Sequence, residues 1–353
     1  MAIYNVSSMT MSSRMVQFIQ EGNNELHRLT IENATGKHAD LGLAVGAQAG
    51  TASSLRNDFN YAERLDLSNS QTEMKLDVAY QSVDTLREAA DAFRSQMIGV
   101  RDTGGSIITL SKLANTEMDS LTSLLNTSAG GVYVFGGENV GSGPMQDFEA
   151  SAKAAIEAEF ATHFGFPLSD SANTKNITKA QMQTFLDDTF NDEASATNQF
   201  NAANWGANWS NATDTVMSAN IETGVNVNST QSANDQSFKQ LAKAYAMVGL
   251  IGAADLDPET ESVVIDNSVA AITQGIDGIN KVQTDIGAVQ HRLDLAEKSL
   301  DNRMSTLNIR VNEIENVDPN EVAVRLTEAE TQLEANYAIT SRLNKLSLLN
   351  YIR

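Results

Sequence analysis

Leu76, Ala79, Val83, Leu86, Ala90, Phe93, Met97 and Val100 follow one another at alternating spacings of three and four. This spacing draws a single apolar seam down a helix, and a seam that long is buried by another helix lying along it. It extends upstream through Leu55, Phe59, Ala62 and Leu65, and Gly104 and Gly105 end it. A shorter helix follows, with Ile107, Leu110, Ala114, Met118, Leu121 and Leu125 on one face. Near the other end of the chain, Ile279, Ile286, Leu293, Leu300, Leu307 and Ile314 recur at every seventh residue. Their partner positions are Val282, Val289 and Ala296, then Arg303 and Arg310, with Met304 and Val311 taking over one residue later. The stripe therefore drifts round the helix, as a straight period of about 3.6 residues requires. No proline falls between Pro258 and Pro319, so this helix can reach ~90 Å at about 1.5 Å per residue. Asp318 at N-cap, Pro319 at N1 and Glu321 at N3 then start a final helix carrying Val322, Leu326, Ala329, Leu333, Leu343 and Leu346.

The middle of the chain differs in kind. From residue 141 to 237 there are twelve acidic residues, three lysines and no arginine, with Asn, Ser, Thr, Ala and Gly dominant. The same stretch holds nine of the 21 aromatic residues, including Trp205 and Trp209, whereas a disordered linker is poor in aromatics. It reads as a loop-rich globular insert with its own core and some strands. The predicted architecture is mainly α: a long antiparallel helical rod with both termini at one end and an α+β or β-rich insert at the other. Residues 1–40 and 318–353 are its terminal helices, 41–131 and 238–317 its rod, and 132–237 its insert.

Between the second rod helix and the insert stands GGVYVFGGENVGSGP, residues 130–144. A Walker loop would need Gly-Lys-[Ser/Thr] after its glycines, and a dinucleotide fingerprint would need a helix there; neither follows. The stretch reads instead as a helix stop, a short strand and a reversal. Gly130 and Gly131 suit a left-handed helix cap, and with Gly136 and Gly137 they form a hinge.

Other chemistry is weakly supported. Lys plus Arg number 24 against 45 Asp plus Glu, a net charge of −21. Such a surface repels nucleic acid and anionic membranes, so neither is expected as a partner. With no cysteine there is no thiolate nucleophile and no thiolate metal site. His27, His38, His163 and His291 are scattered without metal-ligand spacing. DLDPETE, residues 255–261, resembles the start of a calcium loop but carries Thr260 where glycine is required, and Asp257 with Pro258 reads better as a helix start. No apolar run nears the ~20 residues that span a bilayer, and the opening residues lack the pattern of a Sec-type leader. No catalytic, cofactor or metal role is expected. NWGANWS, residues 204–210, reads as a small hairpin core, with sugar stacking by its tryptophans as the alternative.

The terminal helices stand apart. Ile3, Met11, Met15, Phe18, Leu26 and Leu29 make the first amphipathic, and residues 319–353 match it. Two such helices cannot bury all of this apolar surface against each other, and isolated helices are marginal in water. They are expected to be covered by other copies or partners.

At this point the residues carry a resemblance. NATGKHADLG (33–42), LTSLLNTSAGGVYVFGGENVGSGPMQDF (from Leu121) and VDPNEVAVRLTEAETQLEANYAITSRLNKLSLLNYI (from Val317) are similar to segments of the bacterial flagellin superfamily. Within it they most resemble the hook-associated protein 3 group, whose members form the hook–filament junction. The aromatic strand between glycine pairs carries that distinction, since the Leu-Ser-Leu-Leu close is shared with flagellins. The resemblance covers roughly 1–145 and 238–353. It implies a non-enzymatic structural protein, exported through the flagellar type III apparatus with a cytoplasmic chaperone. It further implies assembly as a ring of copies between hook-associated protein 1 and flagellin. The alternatives are a flagellin filament subunit and, from a different class, a surface carbohydrate-binding module resting on Trp205 and Trp209.

Overall fold

A computed structural model describes the backbone of residues 8–351, and side chains within residues 10–342 other than residue 12. In chain order, α1 (Ser8–Thr35) is followed by the short α2 (Leu41–Val45), the long α3 (Gln48–Thr103) and α4 (Ile108–Leu125). A hairpin of β1 (Ser128–Ala129) and β2 (Val132–Tyr133) comes next. Short helices follow: α5 (Ala152–Phe164), α6 (Ser171–Thr174), α7 (Lys179–Leu186) and α8 (Ala202–Asn208), with a π turn at Asp187–Asn191. A second hairpin, β3 (Ser218–Glu222) with β4 (Val225–Asn228), leads to α9 (Gln236–Gly249), α10 (Pro258–Glu315) and α11 (Pro319–Tyr351). The chain is mainly α with a small β-containing insert, as its periodicity predicts.

The helix boundaries follow local chemistry. Gly104, at φ 68°, supplies the left-handed residue that ends α3, and the N–H of Gly105 donates to the Val100 carbonyl at 2.9 Å. Asp257 and Asp318 both cap: the first accepts from the Glu259 N–H at 3.1 Å, the second from the Asn320 N–H at 2.8 Å. One boundary is corrected. α4 stops at Leu125, short of the glycines, because the Asn126 side chain leaves the helix to bond the Met145 backbone in both directions, at 2.8 and 3.0 Å. Gly130 (φ 61°) and Gly131 (φ 82°) are instead the two turn residues of β1–β2, where positive φ at both positions matches the twist of the strands.

The chain divides into two compact units, Met1–Glu63 with Asp301–Arg353, and Arg64–Leu300. The divisions fall inside α3 and α10, not at the helix breaks near residues 40 and 318.

In the Arg64–Leu300 unit one apolar cluster joins Leu76, Val83, Leu86 and Phe93 of α3, Leu121 and Leu125 of α4, Phe238 and Met247 of α9, and Ile286 and Leu293 of α10. α4 and α9 meet so closely that a Cβ on Gly249 would lie 2.3 Å from the Asn115 side-chain oxygen. The cluster runs without a break into Phe135, Phe148, Phe160, Phe185, Phe200, Trp205 and Trp209. The insert thus shares the core of the helices where the sequence suggested a core of its own.

It also lies along these helices instead of beyond one end of them. Thr174 and Ile177 bond the backbone of Asp255 and the Thr260 hydroxyl near the start of α10, at 3.0 and 2.8 Å. Far along the same helix, Ser299 donates to Glu222 of β3 at 3.1 Å, and Asn69 of α3 donates to the Ile221 carbonyl at 3.0 Å. The reason lies in α4, which turns back along α3, so the chain enters the insert beside Met74, 3.7 Å from a Cβ built on Gly130.

Candidate functional site

The terminal helices form their own layer within the Met1–Glu63 and Asp301–Arg353 unit. α1 and α11 pack along each other, with Leu29, Val322 and Leu333 buried between them. Gly22 permits the approach, since a Cβ there would stand 3.1 Å from the Leu333 methyl. Asn23 donates to the Tyr337 hydroxyl at 3.4 Å. Phe18 and Gly22 line a groove of about 390 Å³ with Ala329, Leu333 and Asn336. The pair runs antiparallel, since Gly36 meets Val317 at one end and Asn23 meets Tyr337 further along.

Burial is uneven. Leu29 is 1% exposed and Leu26 and Met15 are half-buried, but Phe18 is 51% and Met11 45% exposed. On α11, Leu326 is half-buried and Val324, Tyr337 and Ile339 are exposed. The backbone of Leu343 and Leu346 is helical, but their side chains lie outside the described residues, as does Ile3. One helix therefore covers only part of the other's apolar surface, and Met11, Phe18, Val324, Tyr337 and Ile339 keep large apolar side chains exposed.

Where α1 and α11 join the rest of their unit, the backbone is tied. The His38 N–H donates to the Glu315 carbonyl at 2.9 Å and the Val317 N–H to the Gly36 carbonyl at 3.0 Å. The Glu315 side chain, 2% exposed, accepts from Lys37 Nζ at 3.3 Å and from the Arg56 guanidinium. Burial alone would raise its pKa, but the bonds from Arg56 and Lys37 outweigh that and hold it below the usual carboxylate value. Beside it, buried Glu32 accepts from Arg28 at 2.8 Å and from the Ala39 N–H at 3.2 Å. Sequence reasoning missed this cluster. The signal available to it was a charged residue set against each of two helix breaks.

The other singled-out residues fall elsewhere. Leu76, Val83, Leu86, Phe93, Ile286, Leu293 and Leu300 are buried core, as is Leu307, while Ile314 is half-buried. Past Leu300 the drift of the stripe is visible: Arg303 and Arg310 are exposed, Met304 half-buried and Val311 buried. Gly136 and Gly137 are held in backbone pairing, Gly136 bridged to Ser232 and the Gly137 N–H bonded to the Gln231 carbonyl at 2.9 Å. A Cβ on Gly136 would lie 2.2 Å from the Asn139 carbonyl oxygen.

NWGANWS is not a hairpin. Its first five residues lie in α8 and Trp209 caps that helix, stacking on Trp205 at 5.2 Å with an interplanar angle of 13°. Both indoles are buried among Phe148 and Phe200, at 1% and 2% exposure, so neither offers a face to a sugar. The carbohydrate-binding alternative loses its basis. Among the described residues, no helix is long and apolar enough to cross a membrane, and no group of three acidic or histidine side chains is placed to hold a metal.

Comparison with known proteins agrees with the helical layout. The profile of the bacterial flagellin N-terminal helical region matches residues 6–140, and that of the flagellin C-terminal helical region matches 269–352. Together they cover more than half of the chain. No curated protein matches at a significant level. Among solved structures, one described as that of a proposed flagellar hook-associated protein from Vibrio parahaemolyticus is similar in fold, with a TM-score of 0.51 at 12% identity. The match spans 77% of this chain and 99% of that one. The paired terminal helices, the long helices that follow them inward and the two matching profiles lead to one conclusion: the chain belongs to the bacterial flagellin family and is a structural protein of the flagellum.

Proposed function

We propose that this protein is the hook–filament junction component, joining the hook, through hook-associated protein 1, to the flagellin filament. The observation that carries its assembly role is the incomplete cover of the apolar surface of α1 and α11, which leaves Phe18, Met11, Tyr337 and Ile339 exposed. Further copies, arranged as a ring, would bury these side chains in an inner helical layer. The strand between glycine pairs at 130–137 and the closing helix favour the junction role over that of a filament subunit. In this reading the protein leaves the cell through the flagellar export apparatus, after being held by a cytoplasmic chaperone that shields its terminal helices. No catalytic step is assigned to it.

The filament subunit is the second reading, because the two flagellin profiles fit it equally. Immunogold labelling of intact flagella separates them. A single band of label where hook meets filament is expected. Label along the whole filament would make the chain a filament subunit and overturn the junction role.

A further inference from the structure

The connector 36–40 joins α1 to α2 and the connector 316–318 joins α10 to α11. The two are tied by two backbone hydrogen bonds, from His38 to the Glu315 carbonyl at the end of α10 and from Val317 to Gly36, at 2.9 and 3.0 Å. So short a pairing is not stable by itself in water. The Glu315 carboxylate supplies the rest, binding Lys37 from one connector and Arg56 from α3. We propose that Glu315 is the catch of a charge-operated clasp: while ionised it holds the connectors together, and its neutralisation lets them part while α1 and α11 stay paired.

The charges around it support this division. Glu32 of α1 is already satisfied by Arg28 and the Ala39 N–H, with His38 Nδ1 at 3.8 Å. Asp318 is turned into the first turn of α11, accepting from Asn320. Glu315 is thus the anion on which Lys37 and Arg56 converge. Those two side chains are 48% and 55% exposed, and they line a cavity of about 370 Å³ with Asn60, Asn312 and Glu315. They have room to turn to water once the carboxylate loses its charge. The α1–α11 contact rests on Leu29, Gly22 and Leu333, none of which depends on the catch. Because the folded-state pKa of Glu315 is lowered, its contribution is complete above the unfolded carboxylate value and disappears as pH falls through the depressed one. The clasp is shut at neutrality and opens in acid.

Hydrogen exchange of the full-length monomer at neutral pH tests this, and it does so independently of the junction role. In Glu315→Gln, amides at 36–38 and 316–318 should exchange about tenfold faster or more, as expected for losing a charge-assisted bond. Amides at 22–30 and 326–336 should not change. Unchanged exchange at 36–38 in Glu315→Gln would overturn the clasp. So would an equal loss across α1 and α11, which would make Glu315 part of the pairing itself.

Discussion

Gly137 has a φ of 66°, and a methyl group added there would lie 2.3 Å from the Thr213 carbonyl oxygen. Strain and clash act together, so Gly137→Ala should cost about 2–4 kcal/mol. Gly141→Ala, where nothing lies within 4 Å, should stay within about 0.5 kcal/mol. Urea midpoints of the two variants check the contrast. Lys243 makes the opposite case. It is 3% exposed, its ammonium stands 5.6 Å from the Phe200 ring centre, and burial pushes its pKa down. The charged form is therefore disfavoured where it stands, and Lys243→Met should raise stability by about 1 kcal/mol. A lower melting temperature for that variant would show that the contact with Phe200 outweighs the desolvation.

At the scale of elements, the heptad stripe of α10 makes a sharp distinction between neighbours. Leu293 is fully buried and Leu295, two residues on, is 53% exposed. Leu293→Asp should cost more than about 3 kcal/mol by burying an unpaired charge, and Leu295→Asp less than about 0.5. Equal denaturation midpoints would refute the assigned seam. Seams of this kind were legible because each apolar residue reports its own burial through spacing. Where polar residues take seam positions the signal fails: Asn69 and Thr72 carry the α3 seam from Leu65 to Leu76, and both are buried. The caps at Asp257 and Asp318 were legible for the same local reason. The insert was not, since its aromatic content says that something is packed but not against what. Its partners on α9 and α10 were invisible in its own sequence. Replacing residues 146–230 by a short Gly-Ser linker should consequently uncover Phe238 and its neighbours and lower the melting temperature of the helices. A deletion that melts like the intact protein would mean that the shared core contributes little. The Glu315 cluster was out of reach for a related reason, as Lys37 and Arg56 lie 278 and 259 positions away in sequence.

For the whole molecule, removing residues 319–353 takes away the partner of α1 but leaves Arg64–Leu300 intact. The truncated protein should remain soluble and largely helical, melt as before in its core, and sediment as a monomer under conditions in which the full chain associates. Complete loss of helix at room temperature would place α11 in the main core. The division of the chain has a further consequence, for the order of events in folding. Arg64–Leu300 is one continuous stretch, whereas the other unit is assembled from the two ends of the chain. A continuous stretch can fold as soon as it is available, while pairing the two ends must wait for closure of a loop that contains everything else. The core should therefore form first and supply that closure, bringing Gly36 and Val317 within reach of each other. α1 is then synthesised well before α11 and is among the last elements to acquire its partner.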